Sequence, residues 1–119
     1  MSWRSRLEDT HDSNELVAID VTVTCADEGA AWDVFYEVGD LLDAAISDLD
    51  RTPLQVTATP DGAAITTRLS VWVKRISADD PDRVREHYYD TPVREVAAAL
   101  SPLLCGGRGV VAVNATPDI

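Results

Sequence analysis

A chain of 119 residues is the size of one domain, long enough to bury a two-layer core without disulfide or metal support. Its hydrophobic and charged fractions, 45% and 26%, are ordinary globular values that exclude a disordered chain. No apolar run reaches the roughly 18 residues of a membrane helix, and a formal charge of -11 argues against nucleic acid as a partner.

Residues 1–14 read as an N-terminal arm anchored by Trp3 and Leu7, and residues 15–119 as a single domain. The opening Met1-Ser2-Trp3-Arg4-Ser5-Arg6 lacks the apolar stretch of a signal peptide, so a cytoplasmic protein is expected. From Glu15 to Cys25, the residues Val17, Ile19, Val21, Val23 and Cys25 alternate with Ala18, Asp20, Thr22 and Thr24, the period of a strand with one buried face. Asp27 then caps a helix over 27–50, in which Ala31, Val34, Phe35, Val38, Leu41, Leu42, Ala45, Ile46 and Leu49 follow an amphipathic spacing. Thr52-Pro53 ends it.

Leu54 to Thr59 alternates again, and Pro60-Asp61-Gly62 has the chemistry of a tight hairpin turn. A third strand follows, with Ile65, Thr67, Leu69, Val71 and Val73 inward. Asp79 or Asp80 before Pro81 starts the next helix. Pro92 interrupts that helix, so either two short helices meet near Asp90-Thr91 or one helix kinks there. Gly106-Gly107 closes it, and Gly109 to Ala115 forms a fourth strand with Val111 and Val113 inward.

The order β-α-β-β-α-β resembles the ferredoxin-like split βαβ arrangement. It implies an α+β two-layer sandwich, with two helices on one face of a four-stranded antiparallel sheet of order 4-1-3-2. This fold hosts unrelated functions, so it selects none.

The charge is one-sided. Residues 1–50 carry 13 acidic and 2 basic side chains, residues 51–119 eight of each, and Lys74 is the lone lysine. Such Asp-rich, lysine-poor composition resembles that of salt-adapted proteins from haloarchaea or their viruses. The helix over 27–50 holds Asp33, Glu37, Asp40, Asp43 and Asp48 and no base. Its exposed face is a negative ridge, read either as a docking surface for a basic partner or as a solvated face.

The open face of the sheet is the second candidate, polar and threonine-rich, with Arg68, Trp72 and Lys74 on the third strand. RNA-recognition domains share this topology, but they need paired aromatics where Ser70 and Asp20 stand. Asp20 and Arg68 read instead as a cross-strand ion pair, and Trp72 as an interface anchor that leaves a homo-oligomer open. His87 with Tyr88 and Tyr89 marks a weak ligand site near the helix break.

Other motifs dissolve on inspection. Gly106-Gly107-Arg108-Gly109 follows a helix where a phosphate loop would precede one, leaving Arg108 as an ordinary loop cation. His11-Asp12-Ser13 has triad residue types without triad geometry. Asp79, Asp80, Asp82 and Glu86 lack the mid-loop glycine of an EF-hand. Cys25 and Cys105 lack CxxC spacing and read as buried thiols, with a disulfide or shared metal between them the alternative.

No cofactor and no metal is expected, and no catalytic constellation survives. The leading expectation is a non-catalytic interaction or assembly protein, viral or accessory, that uses the acidic helix face. The alternatives are an ACT-like small-molecule-binding domain, echoed weakly in Asp27-Glu28-Gly29, and an enzyme with a site near His87.

Overall fold

A computed structural model of the protein describes residues 14–45, 49–77, 79–105 and 108–118. The expected arm up to residue 13, Asp48 and the Gly106-Gly107 helix stop lie outside them, and Asn14, expected to end the arm, opens the first strand. The chain runs β1 (Asn14–Cys25), α1 (Glu28–Ala45), β2 (Leu49–Arg51), β3 (Gln55–Thr59), β4 (Gly62–Lys74), α2 (Pro81–Arg85), a π-helical turn (Glu86–Asp90), α3 (Thr91–Leu100), α4 (Pro102–Cys105) and β5 (Val110–Pro117).

The long pair β1 and β4 is the frame, antiparallel from Asn14 opposite Lys74 to Cys25 opposite Ala63. β5 adds to the other edge of β1, from Ile19 opposite Pro117 to Cys25 opposite Val110. The alternation of β1 does what its period demands: Val17, Ile19, Val21, Val23 and Cys25 are all buried. They meet Val34, Val38 and Leu42 of α1, Ile65 and Leu69 of β4, and Val96, Leu100 and Leu103 of the second helical run. Burying each such side chain contributes about 1.5–3 kcal/mol before entropy is set against it.

The molecule is thus α+β with an antiparallel sheet of five strands, in the order β2-β4-β1-β5, with β3 also paired to β4. That differs from the expected four-stranded 4-1-3-2 sheet. The cause is the length of β4. Its hairpin partner β3 reaches only from Gly62 to Thr66, leaving the backbone groups of Leu69, Ser70 and Val71 at an open edge. Leu49, Asp50 and Arg51 pair with those residues as β2, satisfying donors and acceptors that would otherwise be lost.

The same demand shortens α1. The helix expected to reach residue 50 is described as far as Ala45 and stops short of Leu49, because that residue is claimed by the sheet.

The second helical run is continuous from Pro81 to Leu100 through the π-helical turn. Asp80 caps it, its Oδ1 accepting from Asp82 N at 3.1 Å. Pro92 has no N–H and crowds the carbonyl four residues back, and the wider π turn, in which Thr91 N donates to Glu86 O, absorbs the mismatch.

β5 departs from its expected phase. Ala112 faces Thr24 and Val110 faces Cys25, so Val111 is an extra residue at a bulge. Val111 therefore points outward and is 65% exposed, while Val110, Val113 and Ala115 pack against the core. Just before it, Gly109 takes φ 79°, and a Cβ there would lie 2.8 Å from Ala30 Cβ, so the turn onto α1 needs glycine.

Candidate functional site: the solvent face of α1

Asp27 starts α1 as expected, its Oδ1 accepting from Ala30 N at 2.7 Å. With 3.6 residues per turn, burying Ala31, Val34, Val38 and Leu42 turns Trp32, Asp33, Tyr36, Asp40 and Asp43 to solvent. Trp32 is 54% exposed and Tyr36 78%. They sit one turn apart with Phe35 between them: the Trp32 and Phe35 rings are 4.9 Å apart and tilted by 41°, and Phe35 meets Tyr36 edge-on at 5.4 Å. Trp32 and Tyr36 are the feature that the sequence reading missed.

A groove runs beside them. Phe35, Tyr36, Gly39 and Asp40 form one wall and Arg51, Pro53 and Leu54 the other, around a volume of about 330 Å³. Gly39 keeps it open to Arg51, since a Cβ there would lie 3.0 Å from Arg51 Nη2 and 3.5 Å from Leu54 Cδ1. Arg51 crosses over this glycine and forks to Asp43, donating from Nε at 3.2 Å and Nη2 at 3.3 Å.

The five acids of the expected ridge therefore separate. Asp43 is paired with Arg51, and Glu37 with Arg108. Asp33 and Asp40 are exposed, with no ion pair among the described residues. Asp48 lies outside the described residues. Arg108 is more than the loop cation expected: besides Glu37 it donates to the carbonyl of Pro102 at 3.2 Å, tying α1 to the turn that enters β5.

The open sheet face carries Arg68, Trp72 and Lys74, and the charge of Arg68 is spent internally. Asp20 and Arg68 are cross-strand partners, with Arg68 Nε 2.9 Å from Asp20 Oδ1, and Arg68 Nη2 is also 3.1 Å from Asp118. The hydrogen bond to Asp20, then the charges of Asp118 and Asp20, hold the guanidinium above its ordinary pKa. Trp72 is half-buried opposite Leu16, and Lys74 is exposed. A polar hollow of about 480 Å³ opens nearby, between Asp20, Thr22, Gln55 and Thr66, where the chain passes from β2 to β3.

His87 and Tyr88 both hold the chain, and Tyr88 alone of the two also lines a hollow. The Lys74 carbonyl can only accept, so His87 donates to it from Nε2, at 2.5 Å, while Tyr88 Oη accepts from Ile76 N at 3.0 Å. Both clip the link between β4 and α2. A hollow of about 320 Å³ does lie against Tyr88, Tyr89 and Val84, facing Leu16 and Ala18, but His87 does not line it.

Cys25 and Cys105 are free thiols. Cys25 is buried, and burial, with Asp27 adding a smaller push, raises its pKa. Cys105 is exposed, against the expectation of burial, because it ends the short helix α4 on the side away from Leu103. Among the described residues no group of three or more His, Cys, Asp or Glu side chains is placed to hold a metal ion, and no helix is long and apolar enough to cross a membrane.

Comparison with known proteins finds no matching family and no matching curated protein. Among solved structures, the de novo designed protein Foldit4 is similar, at 10% identity and a TM-score of 0.52, over 88% of this chain and 100% of the designed one. At that identity the likeness concerns the fold alone, and the five-strand order stands on this chain's own pairing.

Proposed function

We propose that this protein is a non-catalytic interaction module that presents the solvent face of α1 to a basic protein partner, in the cytoplasm of a salt-adapted host or of a cell infected by its virus. One observation carries the reading: Trp32 and Tyr36 are exposed on the helix face where Asp33 and Asp40 are exposed with no ion pair among the described residues. Aromatic side chains supply large contact area at little entropic cost, and the carboxylates steer and orient a cationic partner. The Asp-rich, lysine-poor composition supports the salt-adapted setting. The finer fold reading is a split βαβ plan whose third strand in that plan, β4, has gained β2 on its outer edge.

A photo-crosslinking amino acid placed at Tyr36, and separately at Thr57 on β3, tests this in cells. The expected result is an adduct with a basic protein from position 36 and none from position 57. Equal adducts from both positions, or none from 36, contradict the proposal.

A further inference from the structure

Resting on the interaction role proposed for α1, we infer that the partner segment is arginine-bearing and amphipathic, stacking a guanidinium on Trp32 and Tyr36 while an aliphatic side chain enters the groove beside Phe35 and Leu54. Three features point to this chemistry. The exposed indole and phenol offer π-faces, and a planar guanidinium is the cation that both stacks on such faces and forks to a carboxylate. Asp33 and Asp40 lie on the same solvent face, one next to Trp32 and one a turn beyond Tyr36, with no ion pair to either among the described residues. The adjoining groove is lined by Phe35, Pro53 and Leu54, with Gly39 as a gap in its helical wall, so it suits an apolar side chain.

Charge excludes a second copy as the occupant. A two-fold contact through α1 would set Asp33 and Asp40 of one protomer against the same residues of the other, and like charges brought together cost affinity. A lysine-rich partner would satisfy the carboxylates but not the aromatics, since an ammonium is more strongly hydrated and has no plane to stack.

Titration calorimetry with three synthetic helical peptides tests the inference on the whole chain at low salt. One peptide carries arginine and leucine on one face, the second lysine for each arginine, the third alanine for each leucine. The arginine–leucine peptide is expected to bind, each substituted peptide to bind about tenfold more weakly, and Trp32→Ala or Tyr36→Ala to remove the preference for arginine over lysine. Both positions are surface-exposed, and circular dichroism verifies that each variant is folded.

If the arginine and lysine peptides bind equally, and neither aromatic substitution matters, the acidity of α1 alone attracts partners. The arginine inference then fails while the interaction role stands. If no peptide binds, both fail. A dimer in sedimentation that Trp32→Ala dissociates would show a second copy on this face, and would also overturn the inference.

Discussion

Two polar surfaces of this molecule look alike in composition and differ in how their charges are used. On the open sheet face, Arg68 stands between Asp20 and Asp118, so the central charges pair with one another and Lys74 lies exposed at the end of the strand. On α1, Arg51 and Arg108 neutralise the two edges of the helix through Asp43 and Glu37, while the crest between them keeps Asp33 and Asp40 beside Trp32 and Tyr36. The lesson is that a run of acids does not define a surface. Cations from distant parts of the chain, Arg51 from β2 and Arg108 from the turn into β5, decide which acids remain available.

Removing the layer beneath α1 should have the largest effect. Leu42 is fully buried, and Leu42→Ala should lower stability by about 2–5 kcal/mol in urea denaturation, disordering α1 before the sheet face. Arg108→Ala attacks one edge of the helix. It strands Glu37 and the Pro102 carbonyl, both partly solvated, and should cost about 1 kcal/mol while raising the negative charge available on α1. A neutral result would show that the edge pairing is dispensable.

Trp32→Ala sharpens the contrast. Stability should move by less than about 0.5 kcal/mol, because the indole is more than half exposed, while partner binding weakens. A large loss of stability would mean the aromatic crest is structural.

Cys25 probes the shared core between the two faces. Its folded pKa is raised above the ordinary thiol value of about 9, so below that pH both folded and unfolded chains hold the proton. Above it the unfolded thiol ionises first, and stability should decline as pH rises. Cys25→Ala should flatten that slope in a denaturation series at alkaline pH. In the native protein a thiol reagent should label Cys105 quickly and Cys25 only on unfolding. The smallest effect belongs to Arg68→Ala on the sheet face, a loss that vanishes in high salt because the pair is solvent-exposed.

Much of this was legible from local pattern. The period-two run of β1, the Asp27 cap, the hairpin at Pro60-Asp61 and the Pro81 start are each set by residues close in sequence. What local pattern could not show was competition over distance. The apolar spacing of α1 continues to Leu49, yet the unpaired edge of β4, about 20 residues on, draws Leu49–Arg51 into a strand. Likewise Val111 keeps the alternation of its strand but loses its inward direction to a bulge that only the pairing with β1 creates.

The site was half legible. The acids of α1 were visible, but Trp32 and Tyr36 were hidden among them. The available signal was their spacing, one turn apart on the side opposite Val34, Val38 and Leu42. The pairing of Glu37 with Arg108 and of Asp43 with Arg51 had no signal in the sequence, since each depends on the folded path of the chain.

The choice between the two faces is tested most directly by amide chemical-shift mapping of the isotope-labelled protein during titration with the arginine–leucine peptide. Shifts are expected to concentrate at residues 32–43 and at Leu54, with Thr22, Thr57 and Thr66 unmoved. Shifts centred on those threonines and Arg68, with α1 silent, would contradict it.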